Sequence, residues 1–181
     1  MSDSISILGL DPGNNLGVSI VHVDSTTLDI VGIETKTYVL EKYVTTTDNI
    51  MLNKWIVLEN IIRYLSETYQ PYVVGMEAAF LNLKFPKAII NLGSYTTIIE
   101  MTLNRYVRYL KLFKYAPKYV KKSVGCGDAD KLAMLNFMTS IPEINKCINL
   151  YGRTEHEVDA TAIAYTALKE VRKYPYILYS I

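Results

Sequence analysis

Apolar and polar positions along the chain follow two periods, and the changes of period mark the elements. Ser6–Asp11 is an apolar run that ends in a carboxylate, the pattern of a buried strand. Asp11-Pro12-Gly13-Asn14-Asn15 is turn-forming by composition. Gly17–Val23 predicts a second strand and Leu28–Val39 a third, giving an antiparallel meander. Over Ile50–Tyr69 the spacing becomes helical, with Trp55, Leu58, Ile61, Ile62 and Leu65 on one side. Thr45-Thr46-Thr47-Asp48 offers the N-cap of this helix, and Pro71 ends it. Tyr72–Glu77 reads as a buried strand that again ends in a carboxylate.

A second long helix is expected from about Pro86 to Leu110, with Leu92, Thr96, Ile99, Leu103, Tyr106 and Leu110 along one face and Pro86 in the first turn. Lys111–Ala116 is a fifth strand, followed after Pro117 by a basic, Gly-containing stretch. Ala129–Thr139 predicts a short helix and Glu155–Lys173 the last one, packed through Ala160, Ile163, Ala164, Ala167 and Val171. No role is assigned to Tyr174–Ile181 beyond an extra strand or an arm. The order βββαβαβα predicts an α/β fold: a mixed five-stranded sheet flanked by helices, in one domain spanning residues 1–181. That order resembles the ribonuclease H-like core. It sets the end of the first strand beside the fourth, with the last helix close to both.

Composition adds a few limits. Half of the 181 residues are hydrophobic, which excludes a disordered chain. No apolar stretch approaches the roughly 20 residues of a membrane span. The N-terminus lacks the basic start of a secretion signal, so a cytoplasmic protein without a membrane partner is expected. Cys126 and Cys147 lack metal-finger spacing and read as reduced thiols. The net charge of +1 says nothing about nucleic acid, but its distribution does. From Met101 to Gly127 there are seven basic residues (Arg105, Arg108, Lys111, Lys114, Lys118, Lys121 and Lys122) and no acidic one. Such a block is either an electrostatic footprint or a solvated helix face.

The candidate chemistry lies where the elements end. Asp11 and Glu77 close buried strands, and His156 and Asp159, three residues apart, share a face at the start of the last helix. A carboxylate at a buried strand end costs desolvation unless it is paired or bound to a cation. Each residue has a plainer reading. Asp11 could organise a turn, Glu77 pair with a lysine, Asp159 serve the helix dipole, and His156 simply open a helix. Taken together, the four point to a divalent metal site for phosphodiester hydrolysis. Two Mg²⁺ ions about 3.5–4 Å apart can neutralise attacking and leaving oxygens. Asp11 would bridge the two, Glu77 and Asp159 would each hold one, and His156 would ligate or handle a proton. Thr154-Glu155-His156-Glu157 is a capping box, which makes Glu157 structural and leaves Glu155 and Glu157 outside the site.

These residues carry a resemblance. Leu8-Gly9-Leu10-Asp11-Pro12-Gly13 with Gly17, Glu77-Ala78-Ala79-Phe80, Tyr115-Ala116-Pro117 with Val120-Lys121-Lys122 through Lys131, and His156-Glu157-Val158-Asp159-Ala160 occur in the order of the RuvC-type Holliday junction resolvases. The matches extend over nearly the whole chain. The resemblance implies a homodimer that binds four-way DNA junctions and cuts two strands of like polarity, using Mg²⁺ or Mn²⁺. It implies catalytic positions at Asp11, Glu77, His156 and Asp159, a base-stacking aromatic at Phe80, and DNA-contacting lysines near the scissile phosphate at Lys121 and Lys131, with Lys118 and Lys122 beside them. Lys131 would also act catalytically, by stabilising charge on the transferring phosphate. The second helix would supply much of the dimer interface. Plainer readings are packing for Phe80 and a surface lysine for Lys131.

Two departures stand out. Many family members have Asp where this chain has His156, a change that favours Mn²⁺. The Lys121–Lys131 loop is a residue shorter than in typical bacterial members. Such divergence suits a bacteriophage-encoded member. Fifteen tyrosines are also unusual, and Tyr106, Tyr109, Tyr115 and Tyr119 interleave with the basic block, as DNA-stacking groups or as filling. Three other functions compete: a less selective nuclease of flaps and forks, a relative of the sugar and acetate kinases, and a non-catalytic junction-binding protein.

Overall fold

Strand parity decides which side chains meet. The computed structural model describes residues 4–78, 86–125, 127 and 130–178. β1 (Ser4–Asp11), β2 (Asn15–Asp24) and β3 (Ile30–Val39) form the meander; β4 (Val73–Glu77) and β5 (Lys111–Tyr115) complete the sheet. The strand order is β3-β2-β1-β4-β5. β1 runs antiparallel to β2 and parallel to β4, and β5 runs parallel to β4. Leu8 and Leu10 of β1, Val18 and Ile20 of β2, and Val74 and Met76 of β4 face a core closed by the helices α1 (Ile50–Tyr69) and α2 (Pro86–Tyr106). Ile7, Val21, Val23 and Val73 face the other core, closed by α3 (Pro117–Ser123), α4 (Lys131–Ser140), α5 (Pro142–Cys147) and α6 (Glu155–Lys173). Asp11 and Glu77 have the parity of Ile7 and Val73, so both fall on the α6 face.

α6 lies unusually close to the sheet. A Cβ on Gly9 would come within 2.1 Å of the Ala160 carbonyl oxygen and 2.8 Å of Ala164 Cβ. A Cβ on Gly17 would meet the His156 carbonyl oxygen, also at 2.1 Å. The glycines thus form a trough across β1 and β2, and the small residues of α6 fill it. Ala160, Ala164, Ala167 and Leu168 are fully buried there. Thr154 caps the helix by accepting the Glu157 amide at 3.2 Å. The other half of the expected box differs. The Glu157 carboxylate takes hydroxyls from Thr35 (2.8 Å) and Thr37 (3.3 Å) of β3. It ties α6 to the edge strand, which bears out its structural role.

Several boundaries shift for local reasons. β3 starts at Ile30, since Leu28 takes a positive φ of 59° in a turn whose Thr26 and Thr27 amides are bonded by Asp24. The N-cap of α1 is Asn49, in the left-handed region that Asn tolerates, one residue beyond the expected candidates. α2 ends at Tyr106, and Leu110 keeps its place against the core from the loop. The basic stretch after Pro117 forms α3, with proline in its first turn, and a further short helix, α5, was not foreseen. Asp130 caps α4 through the Ala133 amide. Pro175–Leu178 is a 3₁₀ turn rather than a strand, and its Ile177 and Leu178 pack on the α6 side.

Candidate active site

Asp11 and Glu77 stand at the same end of neighbouring parallel strands, because the register pairs Leu10 with Met76. Gly17 lets the first turn of α6 descend beside them. His156 Nδ1 donates to Asp11 Oδ2 at 2.8 Å. This fixes the ring and leaves Nε2 facing Asn15, whose Nδ2 is 3.4 Å away. Asp159 follows one turn along the same face of α6.

The electrostatics mark a strained cluster. Burial, with the charges of Asp11 and Asp159, pushes Glu77 up to about 7. Burial and Asp11 push Asp159 up to about 6, against a lowering by His156. No hydrogen bond contributes to either shift, and Lys121 is the lysine that eases both. The Asp11 hydrogen bond raises His156, against its own burial. Buried carboxylates that repel one another and take no hydrogen bond among the described residues are what a hard cation with oxygen ligands stabilises, so the donor set fits a divalent metal. Among the described residues, no three acidic, imidazole or thiol groups already enclose a common point.

The basic residues divide. Lys121 of α3 faces Glu77 and Asp159, while Lys118 and Lys122 are exposed on the same helix. Lys131, at the first turn of α4, is exposed and paired with Glu155. The fields of Asp159 and Asp11 also reach it. A cleft of about 280 Å³ opens here, lined by Lys131, Leu135, Arg153, Glu155 and Asp159. Arg105 and Lys114, in contrast, pair with Glu59 at 3.2 Å and Glu100 at 2.9 Å. Two of the seven basic residues, Arg105 and Lys114, are thus taken up by acids on neighbouring elements. Tyr115 is buried and is a packing group; Tyr119 stacks on it at 5.6 Å and donates to Glu170 but stays exposed. A larger cleft, about 550 Å³ between α1 and the β2–β3 face, has no share in the acidic set. Phe80 and Cys126 lie outside the described residues; Cys147 is a free thiol.

Two site neighbours went unread in the sequence. Glu155, set aside as a helix-start residue, pairs with Lys131 and brings Oε1 to 3.9 Å from His156 Nε2. Asn15, taken only as a turn residue, faces the imidazole. A third signal was present in the sequence. Lys54 falls on the i, i+4, i+8 line of Leu58 and Ile62, and it is buried with them.

A mixed sheet of this order flanked by helices, with acids at the ends of β1 and β4 and a third acid on the closing helix, defines the ribonuclease H-like fold class expected from the element order. The model of the RuvC family, crossover junction endodeoxyribonuclease, matches residues 7–167. The RuvC of Ehrlichia chaffeensis is 31% identical over 163 residues, 90% of this chain and 97% of its own. That of Cytophaga hutchinsonii is 33% identical over 149 residues, 79% of this chain and 69% of its own. Thermus thermophilus RuvC superposes with a TM-score of 0.69 at 20% identity, covering 93% of this chain and 96% of that one. The same protein in complex with a Holliday junction substrate gives 0.67 at 16% identity, covering 94% and 96%. The yeast mitochondrial Holliday junction resolvase gives 0.66 at 16% identity, covering 96% and 82%. The chain belongs to the RuvC family of crossover junction endodeoxyribonucleases. This membership sets aside the kinase relationship. Among the described residues, no helix is long and apolar enough to cross a membrane.

Proposed function

We propose that this protein is a metal-dependent endonuclease that resolves four-way DNA junctions by paired, symmetric nicks. One observation carries the reading: Asp11, Glu77 and Asp159 gather at one end of one sheet face, with two of them held up in pKa by burial and mutual repulsion. Asp11, Glu77 and Asp159 would hold Mg²⁺, for which Mn²⁺ substitutes, and His156 makes the site more hospitable to Mn²⁺ than an all-carboxylate one. When bound, such ions neutralise charge on the attacking and leaving oxygens and lower the pKa of a water. His156, oriented by Asp11, ligates or takes the proton of the attacking water. Lys131 leaves Glu155 for the scissile phosphate and neutralises charge there, with Lys121 beside it. Lys118 and Lys122 contact flanking phosphates, which position the DNA without reading sequence. Phe80 replaces a lost stacking partner where the junction opens.

The names of the relatives and the junction complex of the Thermus neighbour support this substrate. Two like nicks in a two-fold substrate call for two copies of the site, hence a homodimer of a single-domain chain. It would work in the cytoplasm of a bacterium or of a phage-infected host. The test is end-labelled cleavage of a four-way junction beside flap, fork and linear duplex, with Mg²⁺, Mn²⁺ or EDTA. The junction alone is expected to be cut, and only with a divalent ion. Equal cutting of flaps would replace this reading with a general branched-DNA nuclease. Tight junction binding without product in any ion would leave a binding protein.

A further inference from the structure

The turn between β1 and β2 is held from behind. Asn14 is exposed, three residues after Asp11, but its side-chain oxygen is the meeting point of two interior donors. The Tyr95 hydroxyl of α2 donates to Asn14 Oδ1 at 2.7 Å, and the Lys54 ammonium of α1 reaches the same atom at 3.3 Å. Tyr95 is 3% exposed and Lys54 8%. The Asn14 carbonyl accepts the Leu40 amide at 2.9 Å, so main chain and side chain are both fixed. The next residue faces the site, with Asn15 Nδ2 toward His156 Nε2 and His156 Nδ1 on Asp11. A contact path thus runs from α1 and α2 through Asn14, across one peptide bond to Asn15, and on to His156 and Asp11.

Packing alone does not account for this arrangement. The apolar stripe of α1 would accept a methionine at position 54 without desolvating an ammonium. The partners of Lys54 are Asn14 and the exposed carboxylate of Glu41, 3.5 Å away. A self-contained Asn turn needs only its own backbone. Here two helices each send one donor to a single amide oxygen. We propose that Asn14 is a positioning residue, clamped by Lys54 and Tyr95, that sets the Asp11–Asn15 turn and, through Asn15, the ring of His156. The proposal rests on the reading of Asp11 and His156 as part of the hydrolytic site.

The chain has two histidines, so imidazole NMR of the full-length protein reads His156 directly. His22 lies in a separate network with Ser6 and Glu34 and serves as the internal control. Tyr95→Phe, Lys54→Met and Asn14→Ala are each expected to move the His156 signals and leave those of His22. In Asn14→Ala the kcat for junction cleavage falls about tenfold, while junction affinity in EDTA stays within about twofold of wild type. Because both donors act through one oxygen, adding Tyr95→Phe to Asn14→Ala changes neither readout further. Unmoved His156 signals in all three variants would overturn the proposal, and so would additive effects in the double variant. Tyr95→Phe removes a single oxygen, so it decides the matter even if Asn14→Ala folds poorly. Should the wild type fail to cut junctions, the functional reading falls, and the spectra still decide the positioning role.

Discussion

Glu77 and Asp159 hold their protons to about 7 and about 6, and this has a thermodynamic consequence. A carboxylate whose pKa is raised by folding binds more protons in the folded than in the unfolded chain between its two values. Stability therefore falls as pH rises from about 4 toward 7, and the deficit is complete above that. His156 acts in the same direction. Its raised pKa contributes stability below its unfolded value, and this is lost as pH rises through the folded value. In EDTA the protein is expected to melt at a lower temperature at pH 8 than at pH 5.5. A shift of two units corresponds to about 2–3 kcal/mol. A divalent cation relieves the repulsion and favours the deprotonated forms, so the Mg²⁺-induced rise in Tm should be larger at pH 8. Equal rises at both pH values, measured by scanning calorimetry, would contradict the assignment of these carboxylates to a cation. Glu157, two residues from Asp159, makes the opposite prediction. Glu157→Ala is expected to cost about 1–3 kcal/mol in denaturant titration by orphaning the Thr35 hydroxyl, while Thr37 keeps its bond to Thr154, and to leave kcat nearly unchanged below the melting range.

At the level of elements, the site depends on how closely α6 approaches the sheet. Gly9→Ala would drive a methyl into the Ala160 carbonyl, and backbone cannot yield as a flexible side chain does. A loss of roughly 1–3 kcal/mol is expected, with a drop in kcat beyond what the unfolded fraction explains, since α6 carries His156 and Asp159. Melting curves beside single-turnover cleavage would separate the two effects; a variant with full kcat would show that the trough does not set the site.

The regular elements were legible because their periods are strong. α1 and α6 have the predicted ends, since Pro71 and the Thr154 cap are unambiguous. The strand-end carboxylates were legible because Gly-x-Asp and Gly-x-Glu end apolar runs. What could not be read was set by tertiary contact. α3 and α5 are too short for a period to show. Arg105 and Lys114 find acids across helix and strand, and Asn15 and Glu155 meet His156 only once α6 is docked.

For the molecule as a whole, the modest net charge of +1 conceals lysines set close to the acidic cluster. Lys121 on α3 faces Glu77 and Asp159, Lys131 on α4 lines the cleft beside Asp159, and Lys118 and Lys122 are exposed on α3. Binding through phosphates should weaken steeply with salt. Lys122→Ala is expected to lower the slope of log affinity against log salt by about one, with little change of cleavage position. An unchanged slope, read by fluorescence anisotropy in EDTA, would remove Lys122 from the interface. The account stands most directly on one comparison. An end-labelled four-way junction is incubated with Mg²⁺ and either the wild type or Asp11→Asn, and binding is measured in parallel. The wild type should give paired symmetric nicks, and Asp11→Asn should bind the junction with similar affinity and give none. Normal cutting by Asp11→Asn would contradict the site, and its failure to bind would contradict the separation of catalysis from recognition.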